Sequence, residues 1–392
     1  MRALAALFGL HSHESVKTMV QIGTIICITL LNVSMQPLQS GLRALIVDVC
    51  PSEQQNFASA WAGRFTGISN ILGYILGSLP LGFLPPGNEA WRFRFLSLLS
   101  VTLLASTVLI TIYFIREEDP RESAYVPREG MLLLRTLRDV KDGWSSMPLQ
   151  ARRVCFVQFF AWMGWFGFLF YSTSYVGQLY LTRSRRRGVE HFELLKDAGI
   201  RLGTFASFLS AITALATTVI APHVASMDLS LPRSRKSVSK RPRSRSEFGW
   251  WRQTHIVWAL SLLLYALCTF GTIFVSSTTA AILVIALTGV SWGITQWAPF
   301  TLLGEEIAMH QAETDSATEK GGRHWMTNQS GAIMGVHNAS ISAPQILAAL
   351  GSSCIFWLFE GNRPGEDDGI AWVLRTSGVA AVVAAYFAWC LK

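Results

Sequence analysis

About nine mostly apolar stretches, each about twenty residues or longer, run down this 392-residue chain and restrict its fold more than any local motif does. A bilayer's hydrocarbon core is about 30 Å thick and takes about 20 helical residues to cross. The stretches are 19–47, 58–83, 93–115, 154–177, 199–225, 253–275, 278–303, 332–359 and 370–391. In lipid every backbone amide must find its partner inside the segment, so spans this long are helices. The apolar residues cover all faces of the stretches, as they do in helices surrounded by lipid. The expected fold class is an all-α membrane protein with about nine transmembrane helices.

Composition agrees. The chain is 51% hydrophobic and 15% charged, whereas soluble domains carry about 25% charged residues. Cys27, Cys155, Cys268, Cys354 and Cys390 lie inside spans, where they act as small apolar residues. Their spacing fits neither metal ligation nor a disulfide framework. The net charge of +8 sits largely in loops beside the spans, where basic residues set orientation or meet anionic lipid, so no nucleic-acid partner is expected.

The loop charges also orient the chain. Arg116, Arg121, Arg128, Arg135, Arg138, Lys141, Arg152 and Arg153 follow the third span; Arg233, Arg235, Lys236, Lys240, Arg241, Arg243 and Arg245 follow the fifth. Both loops share a side with the C-terminus, which the positive-inside rule makes cytoplasmic. The cluster Arg183, Arg185, Arg186 and Arg187 lies on the other side, against that trend. The Arg/Ser-rich segment 232–247 is too polar to bury a core and is expected to be disordered. Segment 131–142 places Leu132, Leu133, Leu137 and Val140 on about one face, which suits a surface helix or a solvated linker.

Charges at bilayer depth cost several kcal/mol and so point to a pathway or a partner. Arg43 and Asp48 close the first span; Arg64 lies about a turn and a half into the second, with Asp48 as its natural counter-ion. Arg64 could instead snorkel to the headgroups. Asp48 could take and release a proton if a neighbouring cation or a changing water cavity shifted its titration. Glu305 and Glu306, after the seventh span, are expected at the interface, with Glu305 a further coupling candidate.

A second group suits a sugar, whose C–H faces rest on aromatic rings and whose hydroxyls bind amides. Trp162, Trp165 and Tyr171 lie in the fourth span, Trp292 and Gln296 in the seventh, Asn338 and Gln345 in the eighth. The same aromatics also serve interfacial belts and helix packing. Pro299 and Pro344 are expected to kink their helices toward a cavity. Gly67, Gly73 and Gly77 permit close helix approach. Phosphate-binding, zincin and Ser-His-Asp patterns are missing from the sequence, which disfavours an enzyme.

The segments Gly41-Leu-Arg-Ala-Leu-Ile-Val-Asp48, Asn70-Ile-Leu-Gly-Tyr74, Trp165 to Gly177, Trp292 to Phe300, and Gly335-Val-His-Asn338 with Ala343-Pro-Gln345 occur in this order. Together they resemble sucrose transporters, and the fungal sucrose and α-glucoside carriers more than the plant ones. These are glycoside–pentoside–hexuronide cation symporters of the major facilitator superfamily. The resemblance implies a twelve-helix carrier moving sucrose or a related α-glucoside such as maltose with a proton as the coupling ion and no other cofactor. It implies roles for Arg43 and Asp48 in coupling and for Asn70 in the sugar site, and a plasma membrane rather than a vacuolar location.

The resemblance maps the nine spans onto helices four to twelve. Residues 1–115 would be an incomplete first half, 116–153 a cytoplasmic linker, and 154–392 a six-helix second half containing the basic loop 226–251. Segment 3–10 would be the end of helix three. Ser172, Ser174, Gln178 and Leu179 stand where plant members carry charges. The alternative is a sugar sensor, scaffold or inactive relative that does not transport.

Overall fold

The computed structural model describes residues 13–50, 54–78, 89–115, 147–188, 192–226, 249–318, 330–359 and 369–391, with residues 138, 141 and 143–145 between them. Nine long helices fill these ranges: α1 (His13–Val49), α2 (Gln55–Ser78), α3 (Glu89–Phe114), α4 (Leu149–Arg186), α5 (Phe192–Ser226), α6 (Gly249–Gly271), α7 (Thr278–Thr318), α8 (Ser330–Leu358) and α9 (Gly369–Trp389). Each coincides with one apolar stretch. Eight are long and apolar enough to cross a membrane; α2 is not. Its Asn56, Ser59, Arg64 and Asn70 dilute the hydropathy. The basic segment 232–247, the amphipathic segment 131–142 (apart from Arg138 and Lys141) and segment 3–10 lie outside the described residues.

The core is built from α4 to α7 and α9. Trp165, Trp258, Trp297, Tyr265 and Leu262 are fully buried there among alanines of α9 such as Ala381, Ala384 and Ala388. Helix α9 packs on α4 and α6, α5 packs on α7 and α4, and α2 lies in the groove between α5 and α7. Small residues make these approaches possible. A Cβ on Gly203 would strike the Thr173 carbonyl of α4, and one on Gly289 would strike Ser210 and Thr213 of α5. By contrast α3 and the first half of α1 turn apolar side chains outward; Ile25 is 65% and Phe93 74% exposed. Such faces suit lipid.

Two helices outrun their spans. Helix α4 continues nine residues past Gly177 to Arg186 and ends where Gly188 adopts φ +77°. No proline or glycine interrupts Gln178 to Arg187, so the backbone ladder carries the helix past the apolar stretch. Helix α7 runs past Leu303 to Thr318 and, like α8, stays helical through its proline, Pro299 or Pro344.

Candidate functional site

A cavity of about 130 Å³ lies between α2, α4, α5 and α7. The residues around it include Asn70 and Tyr74 of α2, Trp165 and Ser172 of α4, Ser207 and Ser210 of α5, and Trp292 of α7. Amide, phenol and hydroxyl groups therefore face a space with two indole rings in its wall. Pockets for drug-sized ligands start at about 300 Å³. A ligand of disaccharide size enters only when the lining helices move apart.

Beyond the cavity, toward the end where α1 finishes and α4 and α8 begin, an apolar plug closes the bundle. Ala44 and Val47 of α1 pack with Met147, Ala151 and Cys155, with Leu303 and Ile307 of α7, and with Ile333, Met334 and Val336 of α8. This is the end that the positive-inside expectation from the loop charges would put in the cytoplasm. Gln55, fully buried at the start of α2, ties off the end of α1. Its Nε2 donates to the Val47 carbonyl at 3.0 Å and the Cys50 carbonyl at 2.6 Å.

The sequence-derived sugar set divides into three groups. Asn70, Trp165 and Trp292 meet at the cavity. Trp162 stands behind them, edge to face with Trp292 at 5.7 Å between centroids. Trp165 is fully buried, its ring covered by Tyr265 at 4.2 Å and Trp292 at 4.9 Å. These contacts enclose the Trp165 ring, and half-buried Trp292 is the better platform.

Asn338 is used elsewhere: its Nδ2 donates to Gln36 Oε1 at 2.6 Å, and the Ser342 hydroxyl donates to the same oxygen at 3.0 Å. This polar clasp joins α1 to α8. Gln345 donates to the Ile341 carbonyl of its own helix at 3.1 Å, and Tyr171 packs edge-on against Phe356 at 5.1 Å. Gln296 is half-buried, and its backbone carbonyl faces Gly63 of α2. None of these four lines the cavity.

The coupling set needs correction in two places. Asp48 is exposed at the end of α1, and among the described residues no ion pair joins it to Arg43 or Arg64. The helix phase decides this: Ala44 and Val47 face inward, which turns Asp48 away from the plug. Glu305, expected at the interface, is 4% exposed, with a buried Oε1 that no donor reaches. Helix α7 runs on past Leu303 and drives Gly304 against the Gln55 side chain, which buries the next residue.

Both arginines turn to aromatic rings. The Arg43 guanidinium lies 3.3 Å from the Phe300 ring centroid, and that of Arg64 lies 4.9 Å from Trp61. Such cation–π contacts are worth about 0.5–2 kcal/mol.

Several residues of the site were not singled out from the sequence. Tyr74, Ser207 and Ser210 reach the cavity, and Gln36 and Gln55 fasten α1. Asn56 Oδ1 accepts the Trp297 indole N–H at 2.9 Å across α2 and α7. Polar residues in otherwise apolar spans were the available signal. Which of them converge depends on helix packing.

The profile of the Major Facilitator Superfamily matches residues 2–349. The chain is 31% identical to the general alpha-glucoside permease of Schizosaccharomyces pombe, across 92% of this chain and 72% of that one. It is 23% identical to sucrose transport protein SUC3 of Arabidopsis thaliana, across 89% and 66% of the two chains. With the MFS-type transporter cctQ of Talaromyces islandicus it shares 28% identity, across 33% of this chain and 49% of that one. The chain thus spans from about half to about three quarters of the length of these relatives. A helical bundle with eight helices among the described residues fit to cross a membrane, matched by this profile over most of the chain, belongs to the major facilitator superfamily.

Proposed function

We propose that the protein carries an α-glucoside of the sucrose or maltose type across a membrane together with a proton, by alternating access. Identity to an α-glucoside permease supports the substrate class. The observation that carries the reading is the convergence of Asn70, Tyr74, Ser207 and Ser210 with Trp292 around one cavity. Amide and hydroxyl groups exchange hydrogen bonds with sugar hydroxyls, while the indole covers an apolar ring face. The plug at one end and the cavity on its other side fit a carrier closed to the cytoplasm.

The proton is the only coupling partner the reading needs. Asp48 and Glu305 are the carboxylates that would exchange it, with Arg43 and Arg64 as the cations of the set. The burial of Glu305 beside Leu303 and Ile307 of the plug, with an oxygen that no donor reaches, supports that role. The plasma membrane is the proposed location.

Uptake of labelled maltose and sucrose into cells lacking their own α-glucoside carriers tests the reading. Uptake that collapses with a protonophore is expected. Specific sugar binding without uptake or counterflow would favour the sensor reading instead, and neither binding nor uptake by well-inserted protein would end both.

A further inference from the structure

The plug contains a polar chain of which the transport reading uses only Arg43. His337 of α8 is 1% exposed, and its Nε2 lies 3.4 Å from Gln158 Nε2 of α4. Its ring meets Phe300 of α7 edge-on, with centroids 5.2 Å apart. The same Phe300 ring carries the Arg43 guanidinium of α1 at 3.3 Å. One line of four side chains therefore fastens α1 to α7, α8 and α4.

In this arrangement Gln158 donates and His337 Nε2 accepts, which requires a neutral imidazole with its proton on Nδ1. The other atom of the amide, Gln158 Oε1, is buried without a partner. Turning the amide over brings that oxygen to an Nε2–H, so one glutamine serves either protonation state. Arg43 has no such choice, because a proton on His337 puts a second positive charge beside the ring that Arg43 covers.

Other charged groups stand on the surrounding elements. Asp48 ends α1 and is exposed, Arg152 and Arg153 begin α4, and Glu305 and Glu306 lie one to two turns past Phe300 on α7. Cys155 is the titratable thiol of α4 within the plug, and Arg375 lies toward the far end of α9. Arg43 is the charge that shares the Phe300 ring with the imidazole.

We propose that His337 is a proton-binding site that controls the plug. Neutral, it leaves Arg43 stacked on Phe300 and the end sealed. Protonated, it expels Arg43 and favours the form in which α1 has left α7 and α8. Because His337 is buried, water and protons reach it when the seal opens, so proton binding selects the open form. Acid on the plugged side therefore holds that end open. The proposal rests on the seal and not on the cargo.

A spin-label pair at Val49→Cys and Leu149→Cys tests it in nanodiscs, with the six native cysteines replaced by serine. Both positions are exposed at the plugged end, at 59% each. Lowering the pH from about 7.5 to about 5.5 spans the ordinary titration range of histidine. The short-distance population is expected to give way to a longer one in the parent and to stay unchanged with pH in His337→Gln. Arg43→Leu, which removes the repelling charge, is expected to lose the pH response as well. An unresponsive parent, or a variant that keeps the parent's response, would overturn the proposal. The readout needs no transport, so an error in the sugar assignment would leave this result intact.

Discussion

Trp165 and Trp292 belong to one aromatic cluster but have different tasks. Trp165 is closed in by Tyr265, Phe168 and Trp292, and the Tyr265 hydroxyl donates to the Gly164 carbonyl at 3.1 Å beneath it. Emptying such a site by Trp165→Ala costs about 3–5 kcal/mol. The expected result is a marked drop in melting temperature and little folded protein by size-exclusion chromatography. Trp292→Ala opens the cavity wall at a half-buried position, and a raised KM in protein that still folds is expected. The two asparagines contrast in the same way. Asn70→Ala would remove the hydrogen bond proposed to the sugar, about 1 kcal/mol, and is expected to raise KM about fivefold. Asn338→Ala loosens the clasp to Gln36, at about 0.6 kcal/mol for an average hydrogen bond between membrane helices. Its effect is expected in thermal stability more than in KM.

At the level of elements, the cavity depends on how closely α5 approaches α7 and α4. Gly289 and Gly293 of α7 lie against backbone atoms of Ser210 and Ala214, and Gly203 of α5 lies against the Thr173 carbonyl. Backbone cannot swing aside as a side chain can. Gly289→Ala is therefore expected to push the helices apart, to cost about 1–3 kcal/mol in overpacking and to lower the melting temperature of the detergent-solubilised protein. Gly73→Ala, with open space around its Cβ position, is the control and is expected to leave that temperature unchanged. The extension of α4 to Arg186 also has a packing consequence. Arg183 Nη1 donates to the Ser276 carbonyl at 3.0 Å, fastening the end of α4 to the turn between α6 and α7. The basic cluster that runs against the orientation trend is thus partly engaged in structure.

For the molecule as a whole, the plug closes one end of the bundle and the cavity lies beyond it. Closing one end requires α1, which otherwise touches the bundle little, to stay against α7 and α8. It is held by Arg43 on Phe300, by the Gln36–Asn338 clasp and by Gln55 at its end. Gln36→Leu removes one of these ties without touching the cavity. It is expected to increase the population with the plug open, read as faster labelling of Cys155 by a thiol reagent in a variant whose other cysteines are replaced.

The nine helices were legible along the chain because hydropathy over about twenty residues is a local property, and lipid leaves helix as the only answer. Their ends were less legible, since α4 and α7 run well past their apolar stretches, α7 through Gly304 without a break. The sequence by itself determined a polytopic helical membrane protein and the kinds of side chain available to a polar site. Only the tertiary structure decided that Asn70 and Trp292 share a cavity while Asn338 and Gln345 do not, that Asp48 faces outward and that Glu305 is buried. The reason is physical: span length and hydropathy are summed along the chain, but the direction a side chain faces depends on helix phase and on which neighbour the small residues admit.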